Sequence, residues 1–159
     1  MAVARPTLDD REHHRDVSAP AADPAPAPAP LVEGLFGVGR DGRPHLVASR
    51  CAGCAELAFP RRSVCPRCKR PTMAPVAVGE RGRLYSVTAC HAAPAGWRAP
   101  YLQAYVEIPE GLRIFSLISD EVAPEADALA PGAPMELVVE PVGAAGDRVT
   151  YKYRPAAEA

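Results

Sequence analysis

Two Cys-x-x-Cys pairs constrain the fold of this chain more than any other feature of its sequence. Cys51-Ala-Gly-Cys54 is followed, after ten intervening residues, by Cys65-Pro-Arg-Cys68. Each pair is expected to form a turn that presents two thiolates, and two such turns complete a tetrahedron around one metal ion. The spacing is typical of a zinc ribbon. Four protein sulfurs leave no position for water or a substrate, so the predicted site is structural and not catalytic.

Zinc is not the only interpretation of this pattern. Iron in a rubredoxin-like site has the same ligands, and disulfides or four unrelated thiols are further alternatives. Residues 1–16 are charged and lack the apolar stretch of a secretory signal, so we expect a cytoplasmic protein. In the reducing cytoplasm, closely spaced cysteines usually bind metal rather than form disulfides. Structural zinc is therefore the predicted cofactor.

The apolar content is modest for a chain of this length. The 159 residues suffice for one ordinary domain or two very small ones. Hydrophobic residues make up 48% of the chain, but 30 of them are Ala, so large apolar side chains are scarce. No apolar run approaches the roughly 18 residues of a membrane span. Bound zinc, worth on the order of 10–16 kcal/mol, would supply the stability that so small a core lacks.

The N-terminal region is predicted to be a disordered tail that covers residues 1–30. In Ser18–Pro30, 11 of 13 residues are Ala or Pro, and the prolines remove backbone donors and block a helix. The next segment is predicted to be a short helix and turn. Leu31, Leu35 and Phe36 have the spacing of one apolar helix face, which the following glycines would end.

From Gly82 onward, polar and apolar residues alternate, which is typical of strands. In the first of these strands, alternation places Leu84, Ser86 and Thr88 on one face. Pro124–Gly132 leaves room for one short helix. The five predicted strands are Arg83–His91, Tyr101–Ile108, Leu112–Ser119, Met135–Glu140 and Arg148–Tyr153.

Five strands with a helix between the third and the fourth match the order of an OB-fold barrel. A five- or six-stranded sandwich is the competing architecture. We therefore predict a mainly β protein, a zinc ribbon followed by a five-stranded barrel. The predicted segments are a tail at 1–30, a helix and turn at 31–45, the ribbon at 46–78, the barrel at 79–155 and a second tail at 156–159.

Charge divides the chain into three parts. Residues 1–39 carry 3 basic and 6 acidic groups, residues 40–78 carry 8 and 2, and residues 79–159 carry 7 and 11. The ribbon is thus basic, whereas the barrel is acidic. A barrel groove for single-stranded nucleic acid should be positive with interleaved aromatic residues. The acidic barrel argues against that function, although the basic ribbon leaves it as an alternative.

A loop at residues 92–101 contains the only Trp of the chain. Trp97, Arg98 and Tyr101 together could stack on an adenine and reach a phosphate, or Trp97 could simply close one end of the barrel. His91, just before this loop, is a further candidate for a ligand groove. Adjacent strand residues point to opposite faces, so Cys90 and His91 do not make a nucleophile and base, and we interpret Cys90 as a small buried side chain.

Several segments resemble a family of small acyl-CoA-associated proteins that join a rubredoxin-like zinc ribbon to an OB-fold. The resemblance covers roughly residues 31–155, and the tail lies outside it. The matching segments are the ribbon with Phe59-Pro-Arg-Arg62, Gly82-Arg-Leu-Tyr-Ser-Val-Thr88, Gly96-Trp97, Pro100-Tyr101, Glu107, Glu110-Gly111, Leu129, Gly132, Met135–Glu140 and Tyr151-Lys-Tyr-Arg-Pro155.

The resemblance implies a non-catalytic subunit that pairs with a thiolase-fold enzyme, often of the sterol-carrier-protein type. Such complexes act on CoA thioesters by thiolysis, retro-aldol cleavage or acyl transfer, in lipid or aromatic degradation among other settings. Some members accompany a MaoC-type enoyl-CoA hydratase instead. The barrel would help to bind coenzyme A, and His91, Trp97, Arg98 and Tyr101 would then line the acyl-CoA channel.

The four ribbon cysteines are the metal ligands in this interpretation, and no catalytic residue is assigned. The sequence contains no Gly-rich phosphate loop, no Gly-x-Ser-x-Gly and no His-Glu-x-x-His. We therefore expect no activity from the isolated chain. Its expected partner is a dimer of the larger enzyme, with one small subunit per large one, and no membrane is involved.

Overall fold

A computed structural model of the chain describes residues 27–157. The predicted disorder of residues 1–26 and the last two residues of the predicted C-terminal tail lie outside this range. Strands and the loops between them make up the described part, whose one helical element is a 3-10 turn at Ala126–Ala128. The strands are β1 Ala29–Pro30, β2 Phe36–Val38, β3 Pro44–Cys51, β4 Leu57–Ala58, β5 Met73–Val78, β6 Arg81–Cys90, β7 Tyr101–Glu107, β8 Arg113–Ile118, β9 Pro134–Val142 and β10 Arg148–Pro155.

Five of these strands close into a barrel. The order β6-β7-β8-β10-β9 returns to β6, because β9 pairs with both β10 and β6. All contacts are antiparallel except β8 with β10, which run parallel at Leu117–Lys152 and Ile118–Tyr153. This is the strand order of an OB-fold, and its closure excludes the sandwich. The predicted fold class is confirmed, with the 3-10 turn in place of the helix predicted between the third and fourth strands.

A β-bulge in β6 changes which side chains enter the barrel. Leu84 pairs with Val106 and Ser86 pairs with Tyr105, so Tyr85 is the extra residue. Leu84 is buried, whereas Tyr85 is exposed, and beyond the bulge Val87 packs against the core. The prediction that Leu84, Ser86 and Thr88 share one face is therefore wrong, because strict alternation assumes an uninterrupted strand.

The ribbon strands form a second, smaller sheet. β3 is its central strand and pairs antiparallel with β2, β4 and β5. Three of its residues, Leu46, Ala48 and Val78, belong to the same buried cluster as the barrel interior. Directly after β5, the Gly79 carbonyl accepts a 2.7 Å hydrogen bond from the buried Tyr153 hydroxyl, whose pKa is raised by burial. Ribbon and barrel thus share one core.

The helix predicted at the start of the folded part is absent. Residues 31–35 form turns and bends, and Phe36 pairs with Leu46 in the β2–β3 ladder. Leu31 and Val32 are exposed, so a helix here would bury no continuous apolar face. A single unsupported helical turn is unstable in water. The chain instead forms β2, which pairs with β3.

The predicted tail also ends earlier than residue 30. Ala29–Pro30 forms β1, which lies parallel to Arg148–Val149 of β10. The Ala29 N–H donates to the Asp147 carbonyl at 3.1 Å, and the Leu31 N–H donates to the Val149 carbonyl at 2.7 Å. The chain therefore pairs with the start of β10 in the barrel before it enters the ribbon. No helix in residues 27–157 is long and apolar enough to cross a membrane.

Candidate functional site

The four ribbon cysteines stand on two turns with matching hydrogen bonds. In each turn, the carbonyl of the first cysteine accepts a hydrogen bond from the backbone N–H four residues later, at 2.9 Å for Ala55 and 3.0 Å for Lys69. The N–H of that cysteine donates to the carbonyl five residues later, at 2.9 Å in both turns. The two halves of the site are thus near copies, although only the first turn is held between β3 and β4.

Both turns contain a residue in the left-handed region. Ala55 and Lys69 each have a φ of 61°, at a position where such turns often carry Gly. A Cβ atom makes this conformation costly for an L-amino acid, by roughly 1–2 kcal/mol. The fold accepts that strain twice, which indicates that closing the two turns around a common centre offsets it.

The thiols converge on one point. All four Sγ atoms lie within 4.8 Å of one another, and the Cys51–Cys68 and Cys54–Cys65 Sγ distances are both 3.6 Å. A tetrahedron with zinc–sulfur bonds of about 2.3 Å has edges of roughly 3.8 Å. All five cysteines of the chain are free. The donor set therefore fits one zinc ion held by four thiolates, as the spacing predicts.

Cys51 and Cys54 differ in the pKa of their thiols. The Thr72 hydroxyl lies 3.2 Å from Cys51 Sγ, and this hydrogen bond is the main cause that lowers the pKa of Cys51 to about 6. At Cys54 the backbone N–H of Glu56 lowers the pKa, but burial and the neighbouring thiols outweigh it and raise the pKa to about 11. Four crowded thiols do not all ionise without a cation between them. The site thus requires a metal for its fully ionised form.

A second candidate site is a cavity of about 250 Å³ at one end of the barrel. Trp97, Arg98 and Tyr101 line it, and the Trp97 and Tyr101 rings meet edge to face with centroids 6.0 Å apart. The Ala144 N–H donates to the Gly96 carbonyl at 2.6 Å and so joins the Trp97 loop to the β9–β10 connection. The structure brings together three of the four residues predicted for the acyl-CoA channel.

The fourth residue, His91, does not join them. It is exposed, follows the last residue of β6 and does not line the cavity. Cys90 is half-buried rather than buried as predicted, because the bulge turns Val87 and Ala89 inward and leaves Cys90 with the opposite orientation. Within residues 27–157, Cys90 forms no hydrogen bond with an imidazole.

The cavity also contains a buried charge that the sequence interpretation missed. The Lys152 side chain is 2% exposed and lines the cavity. Its Nζ atom lies 2.8 Å from Asp120 Oδ2 and 3.4 Å from Glu140 Oε2, and Ser119 Oγ donates to Glu140 Oε1 at 2.7 Å. In the sequence, this site is indicated only by a lysine in the middle of a predicted strand, between Tyr151 and Tyr153.

Comparison with known proteins agrees with both halves of the fold. Residues 41–74 match the family described as the ChsH2 rubredoxin-like zinc ribbon domain, and residues 75–140 match the ChsH2 C-terminal OB-fold domain. A DUF35 domain-containing scaffold protein of Methanocaldococcus jannaschii is 33% identical over 114 residues, which cover 69% of this chain and 79% of that protein. The chain belongs to the ChsH2/DUF35 family.

Other ChsH2/DUF35 relatives are named as subunits. The benzoylsuccinyl-CoA thiolase subunit BbsA of Geobacter metallireducens is 30% identical over 71% of this chain and 76% of its own length. BbsA of Thauera aromatica is 42% identical over 77 residues, and that match spans only 54% of the relative. A chain of the solved Ltp2-ChsH2(DUF35) aldolase superposes with a TM-score of 0.59 at 31% identity, covering 71% of this chain and 86% of that one. The resemblance drawn from the sequence is confirmed.

Proposed function

We propose that the chain is the non-catalytic, zinc-binding small subunit of an acyl-CoA-processing complex whose large subunit has a thiolase fold. The reaction is thiolysis, retro-aldol cleavage or acyl transfer of a CoA thioester. One observation carries this proposal: both domains align with relatives that are named as a thiolase subunit and as part of an aldolase complex. The expected assembly is one small subunit on each large subunit of a central dimer of the sterol-carrier-protein type.

The chemistry of the chain supports a non-catalytic role. The four-cysteine site leaves no ligand position free for a substrate. Cys90, the remaining thiol, has no base within hydrogen-bond reach among residues 27–157, and a nucleophilic thiol needs one or a lowered pKa. The reactive groups therefore belong to the large subunit.

The barrel-end cavity supports a share in coenzyme A binding. Trp97 and Tyr101 offer rings for an adenine, and Arg98 offers a guanidinium for a phosphate. At about 250 Å³, the cavity is smaller than the 300–1,000 Å³ of most small-molecule sites. A coenzyme bound here would extend beyond this chain, so the large subunit would complete the site.

A hydratase partner is the second candidate. A probable enoyl-CoA hydratase alpha subunit of Thermomonospora curvata is 33% identical over 94 residues, which cover 58% of this chain and 28% of that protein. That likeness supports a MaoC-type hydratase as the alternative partner. Nucleic acid is less favoured as a partner, because the barrel half is net acidic.

Co-purification and kinetics test the proposal. The full chain, tagged and expressed in its source organism, is expected to elute with a thiolase-fold protein, which is then produced recombinantly with and without it. We expect no turnover of acyl-CoA by the small subunit alone and full turnover by the pair. Turnover by the isolated chain, or recovery without a thiolase-fold enzyme, would overturn it, and recovery with a hydratase would support the second candidate.

A further inference from the structure

The outer face of β6, β7 and β8 carries three large aromatic side chains that are half exposed to solvent. Tyr85, Tyr105 and Phe115 are 48%, 46% and 49% exposed. Tyr105 and Phe115 are direct partners in the β7–β8 ladder, and the β6 bulge places Tyr85 beside Tyr105. The other large exposed hydrophobics in residues 27–157 are aliphatic and lie outside these three strands. Contiguous exposed apolar patches on a protein surface commonly mark interaction sites.

These side chains are held in fixed positions by one another. The Tyr105 and Phe115 rings meet edge to face with centroids 5.6 Å apart. Arg113 reaches across β7 and places its Cζ atom 3.7 Å above the centre of the Tyr85 ring, while its Nε atom lies 3.7 Å from Glu107 Oε1. Side chains that are already ordered lose little conformational entropy on binding. We name Tyr85, Tyr105, Phe115 and Arg113 the aromatic face.

The aromatic face is continuous with a basic edge of the ribbon. The Tyr151 hydroxyl donates to the Phe115 carbonyl at 3.0 Å, and the Tyr151 ring meets Phe59 of the ribbon at 5.7 Å. Arg61 and Arg62 follow Phe59 closely and are exposed. Residues 57–79 contain no Asp or Glu, and neither arginine forms an ion pair with another described residue. A surface docked here must therefore supply the negative charge.

We propose that the aromatic face and the Arg61–Arg62 edge together form the docking surface for the large subunit, whose matching surface is apolar with an acidic border. This inference rests on the proposed function and adds the place of contact. Tyr and Arg dominate the energetically important positions of protein interfaces. Single-stranded nucleic acid fits less well, because it needs free cations along the rings. Arg113 is instead paired with Glu107, and Arg83 donates to the Gly132 carbonyl at 3.0 Å.

The test uses the full chain and the recombinant large subunit recovered with it. The double variant Tyr105→Thr/Phe115→Thr removes both rings and replaces them with β-branched side chains, which suit a strand. We expect its dissociation constant to rise roughly 30-fold or more, with zinc content and melting temperature unchanged. Val38→Thr is the matched control, since Val38 is 62% exposed on β2, and its dissociation constant should stay within twofold of wild type.

Two further measurements separate the contributions. Arg61→Glu/Arg62→Glu should slow association and remove much of its salt dependence. Hydroxyl-radical footprinting should show Tyr85, Tyr105 and Phe115 reactive in the free chain and protected in the complex.

Each contrary outcome has a distinct meaning. A complex of normal affinity in the double variant, with the rings still reactive, would overturn the docking surface and leave the proposed function intact. Failure of the wild-type chain to bind any large subunit would overturn both. Rings that are protected in the free chain until residues 1–26 are removed would show that the tail covers this face. Binding of an oligo(dT) strand that the double variant loses would show a nucleic-acid surface instead.

Discussion

At the scale of single residues, the zinc turns hold the clearest stored strain. Ala55 occupies a left-handed conformation with φ at 61°, which Gly adopts without steric cost. Ala55→Gly should therefore stabilise the zinc-loaded protein by about 1 kcal/mol, and raise its melting temperature by about 3–6 °C. The exposed Ala52 of the same turn, whose φ is not positive, is the control. Ala52→Gly should lower the melting temperature, and equal effects of the two substitutions would contradict the strain.

The Thr72 hydroxyl favours the thiolate form of one metal ligand, Cys51. Its hydrogen bond to Cys51 lowers the pKa of that thiol to about 6. Protons and zinc compete for this thiolate, so the lowered pKa lets the metal-bound state persist to a lower pH than it would without the hydrogen bond. Thr72→Val removes the hydrogen bond, raises the pKa of Cys51 and should move zinc release to a higher pH. An acid titration with a chromogenic chelator measures this shift, and the exposed Thr88→Val variant should leave the release curve unchanged.

Residue identities alone could predict part of each site. The cysteine spacing suffices for the metal centre, since two turns of fixed geometry need no distant partner. Trp97, Arg98 and Tyr101 are close in sequence and stay close in the fold. Lys152 could not be placed in the same way, because Asp120 and Glu140 reach it only through the β8–β10 and β9–β10 pairings.

At the scale of elements, strands with regular alternation were predictable, and the two departures have physical causes. The β6 bulge depends on how Tyr85 fits between Val106 and Tyr105 of the neighbouring strand, which a single sequence does not reveal. The segment from Leu31 to Phe36 has helical spacing, but its last residue begins β2, whose backbone pairs with β3 over Phe36–Val38. In both cases the pairing with the next strand decides the outcome, and the spacing of apolar residues does not reveal that pairing.

The first strand is predicted to be the stabilising part of the N-terminal region. Deletion of residues 1–31 removes the hydrogen bonds from Ala29 to Asp147 and from Leu31 to Val149. Two such bonds are worth about 1–3 kcal/mol, so the melting temperature should fall by roughly 3–10 °C. Deletion of residues 1–26 retains β1 and is the control, and we expect it to leave the melting temperature unchanged. Equal melting of both truncated proteins would mean that β1 contributes nothing.

At the scale of the whole molecule, two substitutions test whether this chain contributes to substrate binding but not to the chemical step. In the assembled complex, Cys90→Ala should retain most of the turnover, because this thiol has no base. Trp97→Ala should raise the KM for the substrate that carries coenzyme A by roughly 5- to 100-fold, the range expected for one lost stacking contact. Steady-state kinetics in which that substrate is varied and any second substrate is saturating distinguish the two variants. A complex that assembles with Cys90→Ala but no longer turns over would make this subunit catalytic.

Metal removal should affect more than the ribbon. Because Leu46, Ala48 and Val78 lie in the same buried cluster as the barrel residues, a melted ribbon leaves one side of the barrel core uncovered. Cys65→Ser should therefore lose the metal and lower the cooperativity and midpoint of barrel unfolding, followed by near-ultraviolet circular dichroism of Trp97. A barrel that melts as in wild type would show that the two parts are independent.

The shared core also bears on how such chains can recombine. The two family matches meet between residues 74 and 75, inside strand β5, whose pairing with β3 covers Met73 to Val78. A crossover at that point would join Leu46 and Ala48 of one parent to the Val78 and barrel interior of another. We therefore expect chimaeras that exchange ribbon and barrel to fold only where the two parents fill that interior with matching volumes.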